Sequence, residues 1–162
     1  MNLLQSHHFS RHMKQALYLL LLTALTSTAW ANREAQYLNP PDSDPNLPFS
    51  DAVQVGPWLY LSGKIGNIPG TRELAKGGIS GETKQAMKNI QTSLERYGYN
   101  LDNVIKCTVF LADINEWSAM NEVYVQFFTQ HKPARSALAA SGLALNSRVE
   151  IECMAYRSKE SK

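Results

Sequence analysis

Two eight-residue stretches, Val104–Leu111 and Val149–Tyr156, alternate apolar and polar residues and read as half-buried strands. Ile105, Cys107, Val109 and Leu111 mark the apolar phase of the first; Val149, Ile151, Cys153 and Ala155 mark that of the second. A period of two puts each set on one side of a sheet, and that side needs a covering layer. Two helical stretches can supply it. Residues 80 to about 97 carry Ala86, Ile90, Leu94 and Tyr97 on one face, with Ser80 expected as N-cap, Glu82 in the first turn and Gly98 as the stop. Residues 113 to about 129 carry the stripe Trp117, Met120, Tyr124, Phe127 and Phe128, opened by Asp113 and Glu116 at capping-box spacing. Ala52–Val55 and Trp58–Leu61 alternate around Gly56-Pro57 as a hairpin, residues 62–66 then leave the sheet, and 136–139 form a further strand. The order β-β-α-β-α-β-β predicts an α/β (α+β) fold with one sheet and two helices on one face.

The other side of the sheet is expected to carry Val104, Lys106, Thr108 and Phe110 on one strand and Glu150, Glu152, Met154 and Tyr156 on the other. That mixture suits either a subunit interface with a wet edge or a solvated face. Cys107 and Cys153 both fall on the covered side. Buried free thiols are the expectation, and a disulfide is open to them only if the two strands are neighbours.

The N-terminus reads as an export signal. Arg11 and Lys14 precede the apolar run at 16–25, and Ala29-Trp30-Ala31 follows, so cleavage is expected after Ala31. The run is short of the roughly 20 apolar residues a membrane span needs; an uncleaved anchor is the alternative. Met13 is an alternative start, which would make residues 1–12 a mis-called extension. The predicted organisation is a cleavable signal at 1–31, an extended arm at 32–47 rich in proline, one domain at 48–157 and a flexible tail at 158–162. A periplasmic or secreted protein follows, without stable membrane association after cleavage.

Removing the signal changes the charge argument. Two of the 16 basic residues and none of the 14 acids precede Asn32, so 14 of each remain. A net charge of zero leaves no basic footprint for nucleic acid. His7, His8 and His12 leave too, and only His131 survives, so a histidine metal site or a Ser-His-Asp triad is poorly supplied.

Chemistry must then rest on other side chains. Lys132-Pro133-Ala134-Arg135-Ser136 brings a five-donor guanidinium into an extended segment, a shape suited to gripping a carboxylate. Glu150, in the last strand, can orient or deprotonate a water. Asn121, on the second helix beside its apolar stripe, must find a partner if buried. Ser62-Gly63, at a strand end, can offer a hydroxyl and an open backbone N–H to an anion. Taken from the residues alone, a surface salt bridge is the better reading of Arg135, and Glu150 can equally face solvent.

The residues Pro48-Phe49-Ser50-Asp51-Ala52-Val53, Leu59-Tyr60-Leu61-Ser62-Gly63, Asn89-Ile90, Thr108-Val109-Phe110-Leu111, Asn121-Glu122-Val123-Tyr124, Pro133-Ala134-Arg135-Ser136 and Val149-Glu150-Ile151-Glu152 occur in that order. Through them the chain resembles the RidA/YjgF family of enamine/imine deaminases over residues 48–156. The resemblance implies a chorismate-mutase-like fold with a single mixed sheet, assembled as a homotrimer with three clefts between subunits. It implies that Arg135 holds the substrate carboxylate and Glu150 places the attacking water, with Asn121, Ser62 and Gly63 lining the cleft. Phe49 stands where the family often has tyrosine, Ala137 where it often has cysteine, and Lys64 where glutamine is usual. The activity so implied is hydrolysis of small 2-imino or enamine carboxylates to 2-keto acids and ammonia, with no metal or organic cofactor. The alternative reading, motivated by export and by Phe49 and Ala137, is a non-catalytic trimeric carboxylate binder or holdase-like protein of the periplasm.

Overall fold

The computed structural model describes residues 34–158, so the predicted signal at 1–31 and positions 159–162 of the predicted tail lie outside it. Among the described residues the elements are β1 (Ala35–Leu38), β2 (Ala52–Val55), β3 (Trp58–Leu61), β4 (Lys64–Ile65), α1 (Gly78–Arg96), β5 (Val104–Leu111), α2 (Trp117–Tyr124), β6 (Ala134–Ala139) and β7 (Val149–Tyr156). The strands form one sheet in the order β1-β2-β3-β7-β5-β6, with β4 also on β7. Only β5 and β6 run parallel, and α2 lies in the crossover that a parallel pair requires. This is the expected mixed sheet with two helices on one face.

The hairpin of β2 and β3 forms as its alternation predicts, Ala52 opposite Leu61 and Val55 opposite Trp58. The N-terminal arm contributes β1, whose Ala35–Leu38 pairs with Val55–Ala52 at the sheet edge. The core lies between sheet and helices. Ala86, Met87, Ile90 and Leu94 of α1 are fully buried against Leu59, Val109, Val149 and Ile151. Each large side chain so buried contributes roughly 1.5–3 kcal/mol.

Several local expectations change. Helix α1 starts two residues before Ser80, because Gly77 (φ 105°) and Gly78 (φ 62°) take left-handed conformations that turn the chain into the helix early. Ser80 therefore caps nothing. Glu82 is buried and accepts the Arg148 N–H at 2.8 Å, tying α1 to the start of β7. Asp113 does cap, but through the Asn115 N–H at 2.9 Å, and Glu116 turns to Arg148 (Nε to Oε1, 2.9 Å) instead of closing a capping box. The helix it opens is shorter than expected, with 3-10 turns on both sides of α2.

Two β-bulges re-aim side chains. Val104 pairs with Ala155 and Lys106 with Met154, leaving Ile105 as an extra residue. Val104 is therefore buried under the helices and Ile105 is exposed, the reverse of strict alternation. Residues 62–66 do not leave the sheet: Lys64 pairs with Ile151 and Ile65 with Glu150. Tyr60 pairs with Met154, so three residues (Leu61 to Gly63) face two (Cys153 and Glu152), and the surplus residue turns Lys64 onto the helix side.

There Lys64 forms an ion pair with Asp51, which also accepts the Tyr97 hydroxyl at 2.9 Å and lies 3.7 Å from Arg96. Burial pushes the Asp51 carboxyl up, but Lys64, Tyr97 and Ser93 outweigh it and hold the group below its ordinary value. A lowered folded pKa contributes stability above the ordinary carboxylate range, and that contribution is lost as pH falls through the folded value. Asp51→Asn is expected to cost roughly 1.5–3 kcal/mol at pH 7, the range for a hydrogen bond to a charged group. Urea titrations of both proteins at pH 7 and near pH 3 check this: the gap should narrow in acid, and an equal gap at both would rule the ion pair out.

Cys107 and Cys153 form a disulfide instead of remaining free thiols. They are register partners on β5 and β7, both on the covered side, with Cα atoms 4.1 Å apart. Neighbouring strands meet the condition that spacing alone left open.

Candidate active site

The expected site residues fall into two groups. The first lies on the helix side of the edge strand β6. Arg135 pairs in register with Cys107, whose side chain is on the covered side, so the guanidinium rises toward α2. It stacks over the Tyr124 ring at 4.8 Å and the Trp117 ring at 5.7 Å. These aromatic faces attract a cation without neutralising it. Among the described residues Arg135 enters no ion pair; the pairs formed there are Lys64–Asp51, Arg96–Asp51 and Arg148–Glu116. The surface salt bridge left open for Arg135 is thus not formed.

Beside it lies a cleft of about 510 Å³, lined by Asn121, Tyr124, Phe128, Lys132, Pro133 and Arg135 among others. Asn121 Oδ1 and the Tyr124 hydroxyl are both buried there without a hydrogen-bond partner. Leaving such groups unpaired costs roughly 1–3 kcal/mol each, so both invite a ligand or water. Burial pushes the Tyr124 phenol up to about 12 despite the opposing charge of Arg135, and the protonated hydroxyl can donate a hydrogen bond. Ala137, two residues beyond Arg135, packs half-buried on the same side and pairs with Val109. In the sequence Trp117 and Tyr124 stand out only as members of an apolar stripe; their place under Arg135 follows from tertiary packing. The one available hint was that Asn121 and Tyr124 stand three apart on one helix face.

The second group is centred on Glu150, on the opposite side of the sheet, with Phe49 apart from it. Glu150 stands between Phe110 of β5 and Ile65 of β4, its register partners, on the side away from the helices. Burial, and secondarily the charge of Glu152, push its carboxyl above the ordinary range. Its side chain lies against Gly63. Ser62 departs from expectation: its hydroxyl donates to the Ser50 carbonyl at 2.6 Å, so its proton is not free for an anion. Phe49 is 57% exposed and borders a separate cleft of about 400 Å³ with Asp51, Lys64 and Arg96.

Arg135 and Glu150 therefore do not meet within one chain. Two strand spacings and three residues of rise separate their Cα atoms by about 14 Å, on opposite sides of the sheet.

The family model described as Endoribonuclease L-PSP matches residues 41–157. A RutC family protein of Pyrococcus horikoshii is 44% identical over 110 residues, covering 68% of this chain and 87% of that protein. A 2-iminobutanoate/2-iminopropanoate deaminase of Homo sapiens is 44% identical over 110 residues, 68% of this chain and 80% of its own length. The crystal structure of RidA from the Antarctic bacterium Psychrobacter sp. superposes with a TM-score of 0.69 at 32% identity, covering 75% of this chain and 99% of that one.

Proposed function

The chain belongs to the RidA/YjgF family, whose model carries the Endoribonuclease L-PSP description, and from that premise we propose that it hydrolyses small 2-imino or enamine carboxylates to 2-keto acids and ammonia. One observation carries the reading. A guanidinium stacked on two aromatic rings, with no carboxylate partner among the described residues, stands beside the unpartnered Asn121 Oδ1 in an open cleft. The guanidinium is a seat for an external anion, and the Asn121 Oδ1 beside it can accept from a substrate N–H or a water. The named activity of the human relative supplies the substrate class.

Arg135 grips the carboxylate, and Glu150 orients a water and accepts its proton as the oxygen adds to the C=N carbon. The resulting carbinolamine collapses to a C=O bond, and the nitrogen leaves as ammonia after taking up protons from water or the substrate. The raised pKa of Glu150 suits a group that takes up and returns a proton. Arg135 and Glu150 lie on opposite sides of one sheet, which supports a site shared between two copies. We propose a homotrimer in which one copy supplies Arg135, Asn121 and Ala137, and its neighbour supplies Glu150, Gly63, Ser62 and Phe49. Export to the periplasm or beyond belongs to the same proposal. The Cys107–Cys153 disulfide supports it, since such bonds persist in oxidising compartments. With 14 basic and 14 acidic residues beyond the predicted signal, small carboxylates are favoured over RNA as ligands.

Imines generated in situ by an amino-acid oxidase provide the test, with keto-acid release followed against the spontaneous rate. Acceleration that declines in acid as Glu150 takes up its proton is expected. No acceleration across several side-chain types, with 2-keto acids still raising the thermal midpoint, would replace the enzyme with a carboxylate binder.

A further inference from the structure

Of the nine glycines, five (Gly56, Gly70, Gly77, Gly78 and Gly98, with φ between 57° and 105°) hold left-handed backbone; Gly63 does not. Its backbone conformation is open to any residue, so whatever demands glycine there is space. A Cβ placed on Gly63 would overlap Glu150 Oε1 and lie 2.8 Å from Cδ and 3.0 Å from Cγ of the same side chain. The three nearest atoms are thus all from Glu150, and none is backbone.

The sheet register explains the meeting. Ile65 pairs with Glu150, which makes Gly63, two residues earlier on the same strand path, the diagonal cross-strand neighbour of Glu150. Any side chain at that diagonal position would occupy the volume the carboxylate now fills. The bulge at residues 61–63 brings the backbone there as β3 passes into β4.

We propose that Gly63 is a positioning residue for the deamination reaction: the space left by its absent side chain is the seat that aims the Glu150 carboxylate. This differs from offering a backbone N–H to the ligand, because here glycine acts through its neighbour's geometry. With Phe110 and Ile65 on either flank, the seat also keeps the carboxylate against the sheet surface rather than free in solvent. The kinetic part of the proposal rests on the deaminase reading; the geometric part does not.

The decisive variant is Gly63→Ala. The atoms nearest its added methyl all belong to one flexible side chain, so the fold should survive while the carboxylate is displaced. A misplacement of about 1 Å costs on the order of 100-fold in rate. We expect kcat to fall by about that factor, with KM changed by less than about threefold, because Arg135 still grips the substrate. In a Glu150→Gln background the same substitution should cost little further, since the displaced group no longer takes a proton. An equal loss in both backgrounds would show that Gly63 acts on the substrate directly and would overturn the proposal, as would an unchanged kcat. Crystal structures of the parent and Gly63→Ala proteins separate this from the reading beneath it: a displaced Glu150 carboxylate upholds the seat even if the parent proves inactive, and an unmoved one sinks it. If Gly63→Ala fails to fold, adding Glu150→Ala should restore folding, because the clash is with that side chain alone; no restoration also refutes the seat.

Discussion

Arg135→Ala should lower kcat/KM by about 10- to 150-fold, the equivalent of roughly 1.5–3 kcal/mol for a charge-assisted hydrogen bond. The loss should fall on binding and turnover and not on folding. Arg135 forms no ion pair among the described residues, and its contacts are ring faces that survive its removal. Arg135→Lys keeps the charge but loses the planar fork and the stacking on Tyr124, so it should recover only part of the rate. Steady-state kinetics of both variants, with thermal midpoints alongside, provide the measurement. A fully active Arg135→Ala protein would remove the guanidinium from the site and with it the proposed clamp.

Loss of the Cys107–Cys153 disulfide should be the largest single blow to stability. The bond closes a loop of 46 residues, for which the chain-entropy model gives ~4 kcal/mol. In a domain of this size that corresponds to a fall in thermal midpoint on the order of 10 °C. Unfolding followed with and without reductant checks the figure, and a Cys107→Ala, Cys153→Ala double variant should be insensitive to reductant. Equal midpoints for the reduced and oxidised parent would mean that the cross-link adds nothing. The loss should also reach the site, because the bond ties β7, which carries Glu150, to β5, the neighbour of the strand that carries Arg135.

Much of this molecule was legible in its residues. The alternation of β7 and of β5 from Lys106 onward, the hairpin of β2 and β3 and the stripe of α1 each follow from a local period, and the structure realises them. Arg135, Asn121 and Ala137 gather on one side of β6 and α2, while Glu150 and Gly63 meet on the other side. What escaped the sequence turned on counting across strands. The surplus residue at Ile105 and the one among residues 61–63 exist only relative to a partner strand, yet they decide that Val104 is buried and that Lys64 turns to Asp51. The starting point of α1 depended on the conformations of Gly77 and Gly78, which no capping pattern reveals.

Chemistry and layer order came from the chain itself, because side-chain type and hydrophobic period are properties of neighbours in sequence. A guanidinium after Pro133-Ala134, a glutamate in an alternating strand and cysteines in phase with two apolar faces are all present before anything folds. Register and facing came only from the tertiary structure, because a slip of one residue reverses which side every later side chain takes. That is why the two cysteines bond, and why Arg135 and Glu150 stand back to back on one sheet.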